Sequence, residues 1–453
     1  MKKGTVFVLA LLALAAFILV PAAQTVNAAT PVVPTLNIVN WADYMDEELV
    51  ETNFKAFVDF YKERTGKDIK VNYRTYDTNE TMLTQVGLPD SKIDMLAPSE
   101  YAIQKLLEAD KLQKIGTAEE NEALWNDIEP LFVKTIDETF GDMTVGGEKV
   151  NMRDYFVPYM WGTLGILYNT EVVTENDLKE GWGVLWNKAG NQNLVGKIYM
   201  KDSVRDIYVA AVMYLKENDR LPEGFKDKTV VELINSTDKV LIDAAEDVLT
   251  EQKAQKVLYS VDFDKEEVIA GNAYLDLAWS GDAVYAIEEA AKSGRKLGYY
   301  VPESGSNIWF DGWVITKNAP NAEAAKLFIE YMNKPEVAVK NMISIGYTSG
   351  IKKEILSSSE EVRSILSDNE YDPDEFFADE VRYFNGTMPM GVMKDFGDSE
   401  SQLFSMLERV KSHGNSLLTL ILVVLGVVAV VAIVIGVVAS SKNKSASRRK
   451  ISK

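Results

Sequence analysis

The spacing of apolar and polar residues changes twice near the start of the chain. Residues 35–40 alternate as a half-buried strand does, and residues 69–73 repeat that alternation. Between them, apolar residues recur at helical spacing, namely Val50, Phe54, Phe57, Val58 and Tyr61. Gly66 stands where such a helix would end. A strand, a helix and a second strand in this order predict an α/β lobe with parallel strands.

The same pattern returns late in the chain. Residues 309–316 predict a strand, and Asn321 stands at the start of a helix with one apolar face. The stretch 164–304 carries strand and helix signals of its own. A single hydrophobic core stops growing at roughly 250–300 residues, whereas this chain has 453. The sequence therefore predicts an α/β fold with two lobes.

Apolar runs at both ends of the chain predict targeting segments. Two lysines, an apolar run and a small-residue site ending at Ala28 predict a secretory signal peptide over 1–28, with an uncleaved anchor as the alternative. The run from Leu417 to Ala439 has no charge and is long enough to cross a bilayer as a helix. The basic residues of 440–453 place that tail in the cytoplasm. We therefore expect a single-pass membrane protein whose ectodomain lies outside the cell membrane.

The charge and composition of the chain exclude several classes of function. The net charge is −20, which disfavours nucleic-acid binding and attracts cations. The chain has no cysteine, so disulfides, thiolate metal sites and a lipid anchor on an N-terminal cysteine are excluded. The single histidine, His413, cannot build a triad or a multi-histidine metal site. We expect neither enzymatic activity nor a bound cofactor or metal. Hydrolysis of a glycoside by a pair of carboxylates stays open as an alternative.

Three short strings place an aromatic residue beside a carboxylate. They are Trp41-Ala42-Asp43-Tyr44, Trp279-Ser280-Gly281-Asp282 and Trp309-Phe310-Asp311. A tryptophan at the end of a strand usually packs in a core, and a nearby aspartate usually forms a turn or cap. Together, however, the strings offer what an alkylammonium needs, because aromatic faces attract cations and carboxylate oxygens replace lost water. No basic residue lies within these strings, which favours a cationic ligand.

With these strings the chain resembles the spermidine- and putrescine-binding proteins of bacterial ABC transporters, which are type II extracellular solute-binding proteins. The resemblance runs through ordered blocks between residues 35 and 350: 40–44, 75–82, 97–101, 158–162, 202–206, 278–282, 309–311 and 345–347. It implies a two-lobed type II periplasmic-binding-protein fold. Lobe 1 would comprise 34–160 and 309–349, and lobe 2 would comprise 161–308 and 350–412.

The resemblance also implies the ligand-binding residues. The aromatic box around the methylene chain would be Trp41, Tyr44, Tyr101, Trp279 and Trp309. The carboxylates for the amines would be Asp206, Asp282 and Asp311, and further polar contacts would come from Asp43, Ser99 and Tyr347. Two positions depart from the spermidine-type pattern, since an acid is replaced by Ser203 and a glutamine by Met393.

The resulting hypothesis is an extracytoplasmic receptor that captures a polyamine between two lobes. It would deliver the ligand to an ABC permease that is driven by a separate ATPase subunit, and a monomer is expected. The first alternative is a binding protein of the same fold for another small solute, such as an amino acid, a sugar or a metal. The second is an enzyme or adhesin that has kept only the scaffold.

Overall fold

The computed structural model describes residues 33–88, 91–261, 263–385 and 387–413. The predicted signal peptide (1–28), the apolar run 417–439 and the basic tail (440–453) lie outside the described residues.

The described chain contains strands and helices along its whole length. Its strands are β1 Thr35–Trp41, β2 Lys70–Tyr76, β3 Met95–Leu96, β4 Leu112–Gln113, β5 Thr144–Val145, β6 Glu148–Lys149, β7 Phe156–Asn169, β8 Ile198–Lys201, β9 Leu258–Ser260, β10 Leu275–Trp279, β11 Leu297–Tyr300, β12 Ser306–Thr316, β13 Thr348–Ser349 and β14 Met390–Gly391. Its α-helices are α1 Glu47–Glu51, α2 Lys55–Thr65, α3 Asn79–Gly87, α4 Glu100–Glu108, α5 Ala118–Trp125, α6 Pro130–Phe140, α7 Glu175–Leu178, α8 Val204–Glu217, α9 Val230–Ile234, α10 Lys239–Gln252, α11 Phe263–Ala270, α12 Ser280–Lys292, α13 Ala322–Met332, α14 Pro335–Ile345, α15 Lys353–Ser358, α16 Glu360–Asp368, α17 Pro373–Ala378 and α18 Glu400–Ser412.

The first sheet confirms the parallel α/β start of the chain. Strand β1 lies between β2 and β3 and runs parallel to both. The helix predicted between β1 and β2 is broken into α1 and α2, because Asn53 and Phe54 both take positive φ angles. Helix α2 ends at Gly66, whose φ of 69° suits a residue without a side chain.

Two long strands, β7 and β12, connect the two halves of the molecule. They pair with each other in antiparallel register. The first half of β7 pairs with β12, and its second half, from Leu164 onward, pairs with β10 and β11. Strand β12 reaches β3 and β4 of the first sheet. Each long strand therefore belongs to one half at one end and contacts the other half near its opposite end.

The buried apolar residues form separate cores in the two halves. The first core includes Phe57 and Trp313, and an adjoining cluster includes Phe156. The second core is built around Trp182 and Tyr208. All five side chains are almost completely buried. The structure thus confirms a mixed α/β fold with two lobes.

The segment 350–412 divides between the two cores, although we expected all of it in lobe 2. Ile351, Phe377 and Val392 pack with the first core. Met393 and the apolar face of α18 pack with the second core. Periodicity marks the apolar face of such helices but does not say which core the face covers, so this division required the tertiary structure.

Candidate functional site

A cavity of about 460 Å³ lies between the two halves of the molecule. Its wall includes all eleven residues singled out from the sequence, namely Trp41, Asp43, Tyr44, Ser99, Tyr101, Asp206, Trp279, Asp282, Trp309, Asp311 and Tyr347. Trp279 packs against the core of each half, so it stands at the junction between them. The three tryptophans of the aromatic strings therefore share one cavity and do not lie in separate cores.

Strand ends place the tryptophans at the cavity. Trp41 is the last residue of β1, and Trp279 is the last residue of β10. Trp309 and Asp311 are two residues apart on β12, so their side chains leave the same face of the strand. The pairing of β12 with β7 shifts register directly after Asp311. A bulge of this kind re-aims a side chain, and such bulges are frequent beside binding sites.

Helix N-termini supply the remaining polar groups. Ser99 precedes α4, whereas Asp206 and Asp282 lie in the first turns of α8 and α12. The N-terminus of a helix carries a partial positive charge, which favours a carboxylate there. This arrangement lets the fold hold several acidic groups close to one cavity.

Aromatic rings pack against one another along the cavity wall. The ring centroids of Trp41 and Tyr76 are 4.8 Å apart. Tyr347 packs edge to face against Tyr44 at 5.0 Å and against Trp309 at 5.4 Å. The Trp41 indole donates to the carbonyl of Ala97 at 2.9 Å, which fixes the orientation of that ring. These contacts produce a rigid apolar wall suited to a methylene chain.

Asp311 is a buried carboxylate held by a hydroxyl. The Ser99 Oγ donates to Asp311 Oδ1 at 2.6 Å, and the Asn79 Nδ2 donates to that hydroxyl at 3.0 Å. Only 4% of Asp311 is exposed. Burial raises the pKa of Asp311 to about 7, although the hydrogen bond from Ser99 acts in the opposite direction. Among the described residues, Asp311 has no basic partner in ion-pair contact.

Asp206 is a second buried carboxylate without an ion pair to any residue that the structure describes. The Trp279 Nε1 donates to Asp206 Oδ1 at 3.3 Å. Burial raises the pKa of Asp206, and the bonds from Ser203 and Trp279 offset part of that effect. A buried carboxylate that lacks a positive partner is an unfavourable arrangement, which a ligand cation can relieve.

Asp282 differs from the other two carboxylates because lysine side chains of the protein itself form ion pairs with it. Its oxygens accept from Lys201 Nζ at 3.3 Å and Lys265 Nζ at 3.2 Å. The Tyr347 hydroxyl donates to it at 3.1 Å. Burial acts to raise the pKa of Asp282, but Lys265 and Lys201 outweigh burial and hold it below its ordinary value. The three strings themselves contain no basic residue, but the fold brings Lys201 and Lys265 from other segments to Asp282.

Further residues at the cavity escaped the sequence reasoning. Arg205 lies over the Tyr101 ring at 3.4 Å and pairs with Glu400 at 2.9 Å. Glu100 is buried, and burial raises its pKa to about 8. Lys201 directly precedes the block 202–206 that carries the resemblance, so proximity in sequence was the available signal. Lys265 lies in no quoted block, and nothing in the sequence pointed to it.

No cluster of histidine, aspartate and glutamate side chains suited to a metal ion occurs in the ranges that the structure describes. The residues around the cavity thus offer aromatic faces, carboxylates and hydroxyls, together with the bound side chains of Arg205 and Lys265. Lys201 is not part of the lining and bonds Asp282, which is. Such a lining recognises charge and shape, since it contains aligned acceptors and rings but no nucleophile beside a histidine base.

The fold and the cavity together are those of a solute-binding protein. The family model for bacterial extracellular solute-binding proteins matches residues 56–364, and the chain belongs to that family.

Its relatives include proteins named for polyamines. The chain is 27% identical over 315 residues to the spermidine/putrescine-binding periplasmic protein of Escherichia coli, covering 69% of this chain and 76% of that one. It is 26% identical over 323 residues to the putrescine-binding periplasmic protein SpuD of Pseudomonas aeruginosa, covering 70% and 78%. Among solved structures, the spermidine/putrescine ABC transporter substrate-binding protein PotD of Streptococcus pneumoniae matches with a TM-score of 0.59 at 27% identity, covering 83% and 99%.

These findings correct the expected localisation. We expected a single-pass membrane protein, whereas the relatives are named as periplasmic proteins. In the described parts of the chain, no helix combines the length and the apolar character needed to cross a bilayer. The run from Leu417 to Ala439, on which the expectation rested, lies outside those parts.

Proposed function

We propose that this chain is the solute-binding component of an ABC importer and that it captures a polyamine of the putrescine and spermidine class between its two lobes. The observation that carries the proposal is the pairing of an aromatic wall with two buried carboxylates, Asp206 and Asp311, that form no ion pair with a described residue. The names of the relatives support the same ligand class.

The chemistry of the cavity matches a dication with a methylene chain. Each ligand ammonium would donate to one buried carboxylate, a bond worth ~1.5–3 kcal/mol when a charged group takes part. A desolvated cation over an aromatic face contributes ~2 kcal/mol more. Two such ends, with the rings of Trp41 and Trp309 beside the methylenes, reach the ~8 kcal/mol that micromolar binding requires.

Each of the eleven lining residues has a role in this proposal. Asp206 and Asp311 receive the ammonium groups, and Ser99 orients Asp311 through its hydrogen bond. The aromatic box consists of Trp41, Tyr44, Tyr101, Trp279 and Trp309. Asp43, which is exposed, would meet the ligand at the rim, and Tyr347 would hold Asp282 in place. In this arrangement the chain performs binding and no catalytic step.

The long strands β7 and β12 support a hinge between the lobes. We propose that lobe 1 comprises 34–160, 309–349 and 350–392, and that lobe 2 comprises 161–308 and 393–412. This assignment follows the packing of each segment against its core. Closure about strands that cross between lobes would enclose the ligand and would present the closed form to a permease driven by a separate ATPase. A monomer is sufficient for this role.

A second candidate ligand is an amino acid or another zwitterion. The observation that favours it is the presence of Arg205 and Lys265 in the cavity wall, since a basic side chain can bind a ligand carboxylate. Against it, the Arg205 guanidinium already bonds Glu400 and the backbone carbonyl of Lys394. Lys265 already bonds Asp282.

Calorimetric titration of the intact chain at pH 8 tests the proposal. The titrants are putrescine, spermidine, γ-aminobutyrate, glutamate and maltose. We expect micromolar or tighter binding of an amine and no comparable heat from the other solutes. Binding of γ-aminobutyrate or glutamate without binding of either amine would overturn the proposal in favour of the second candidate.

A matched pair of variants tests whether the heat of putrescine binding arises at the cavity. Asp311→Asn keeps the shape of the side chain and removes its charge, so we expect putrescine to bind at least tenfold more weakly. Asp243→Asn is the control, because Asp243 pairs with Lys239 on the exposed face of α10 and does not line the cavity. Equal affinities of the two variants would remove Asp311 from the binding site.

A further inference from the structure

The ammonium group of Lys201 occupies a position that has the features of an amine-binding subsite. Its Nζ lies 2.8 Å from Asp264, 3.3 Å from Asp282 and 3.0 Å from the carbonyl of Val261. The same nitrogen stands 4.5 Å from the ring centroid of Trp279. Carboxylates, a carbonyl and an indole face around a buried ammonium are the environment that a ligand amine would require. The chain thus brings its own cation to Trp279.

Lys265 adds a second resident cation at the same carboxylate. Its Nζ donates to Asp282 Oδ1, whereas Lys201 donates to Asp282 Oδ2, so each oxygen faces an ammonium. Only 15% of the Lys265 side chain is exposed, and the Lys201 side chain is fully buried. The Tyr347 hydroxyl also donates to Oδ1. Each oxygen of Asp282 therefore already accepts from at least one donor of the protein.

The charges around Lys201 balance within the protein. Lys201 and Lys265 offset the negative charges of Asp264 and Asp282. Asp276 lies in the same cluster, and burial raises its pKa well above the ordinary value. The two lysines and the two carboxylates that they bond thus contribute no net attraction for a ligand cation.

Two buried carboxylates of the cavity wall remain available to a ligand, Asp206 and Asp311. Glu100 also lines the cavity, but with its pKa at about 8 it is largely protonated at neutral pH. Asp202 and Glu408 also line the cavity and are paired with Lys411. Glu80 is half-buried and accepts from the Tyr101 hydroxyl, whereas Asp43 and Asp77 are exposed at the rim, so water screens the charge of these three groups and weakens discrimination between ligands. The buried charge of the site thus corresponds to two ligand ammonium groups.

We propose that Lys201 and Lys265 fill the third ammonium position of this site, so that the cavity selects linear diamine dications over polyamines with three or four ammonium groups. The inference rests on the proposed polyamine-binding function. A third ligand ammonium near Asp282 meets two like charges and oxygens that already accept from protein donors. One placed at the rim loses part of its water and meets only carboxylates whose charge water screens.

The test measures the ratio of the spermidine Kd to the putrescine Kd by calorimetry at pH 8, using the intact chain. In the unmodified protein we expect putrescine to bind at least tenfold more tightly. Lys265→Gln removes one resident charge and its ion pair with Oδ1 of Asp282, so the ratio should fall at least fivefold, mainly through tighter binding of spermidine. Lys265→Arg keeps the charge and should retain a ratio close to that of the unmodified protein.

Lys265 is chosen over Lys201 because Lys201→Met would leave buried carboxylates unpaired and could unfold the protein. Lys292→Gln is the matched control for a loss of charge, since Lys292 pairs with Glu289 on an exposed face and does not line the cavity. In Lys292→Gln the ratio of the spermidine Kd to the putrescine Kd should equal that of the unmodified protein.

The outcomes separate this inference from the function on which it rests. Spermidine binding as tightly as putrescine to the unmodified protein overturns the selection of dications. The role of the resident charge is overturned if Lys265→Gln leaves the ratio of the spermidine Kd to the putrescine Kd unchanged. It is also overturned if Lys265→Arg lowers that ratio as much as Lys265→Gln does. In each of these cases amine binding itself persists and the proposed function stands. Absence of any amine binding removes both proposals together.

Discussion

The affinity for putrescine should depend on pH through Asp311. In the ligand-free protein, burial raises the pKa of this carboxyl to about 7. A ligand ammonium interacts favourably only with the ionised form, so the pKa in the complex must be lower than in the free protein. Protein that carries the proton must release it before binding. Affinity is then highest above pH 7 and falls as the pH drops below 7.

The size of the effect follows from linkage. Two pH units below the pKa of the free carboxyl, only about one molecule in a hundred is ionised, so putrescine should bind roughly 100-fold more weakly at pH 5 than at pH 8. This corresponds to ~2.7 kcal/mol, because one pKa unit is worth ~1.36 kcal/mol. The ligand does not contribute to the change, since alkylammonium groups with pKa values of ~10 stay charged over this range.

Calorimetry in two buffers that differ in ionisation enthalpy measures both the affinity and the protons released. Near pH 6.5 we expect release of a substantial fraction of a proton on binding. Asp311→Asn should bind more weakly but should show a flatter pH profile, with any remaining slope due to Asp206, whose pKa is also raised by burial. An affinity that is constant from pH 5 to 8, or an equal slope in Asp311→Asn, would refute the reasoning.

Three further substitutions test the wall and the core. Gly281→Ala should weaken putrescine binding at least tenfold, because the added Cβ overlaps the ring of Tyr347, whereas Gly224→Ala, with open space around it, should bind normally in the same titration. Trp309→Ala should weaken putrescine binding by about tenfold through loss of one aromatic face, and an unchanged Kd would exclude that contact. Trp313→Ala should lower the free energy of unfolding by ~3–5 kcal/mol in urea melts, since the side chain is fully buried, while the exposed Phe263→Ala should change it by less than ~0.5 kcal/mol.

Local sequence patterns predicted the elements that position the site. Strand β1 covers the alternating residues 35–40, and β12 covers the predicted strand 309–316 but begins three residues earlier. Helix α13 begins directly after Asn321, as predicted. The N-terminus of α3 was predicted less well. The spacing of Asp77 and Glu80 in the sequence is that of a capping box and predicts Asp77 as the cap, but the Thr78 side chain accepts from the backbone N–H of Thr81 instead. Neighbouring residues with similar capping ability leave such a boundary uncertain by one position.

The electrostatic environment of the carboxylates could not be predicted from the sequence. Asp206, Asp282 and Asp311 look alike as sequence motifs, yet only Asp282 is bound by lysines. Lys201 comes from the end of β8 and Lys265 from α11, so their meeting at Asp282 depends on how distant elements pack. Periodicity and motif spacing describe what a segment contributes to its own element, not the charges it meets across the fold.

The most direct test of the account is a crystal structure of the chain with putrescine. We predict the diamine in the cavity between the lobes, with its nitrogens within ~3 Å of carboxylate oxygens of Asp206 and Asp311 and its methylenes against the indoles of Trp41 and Trp309. Lys201 and Lys265 should remain on Asp282. Putrescine bound outside this cavity, or with neither nitrogen at Asp206 or Asp311, would contradict the account.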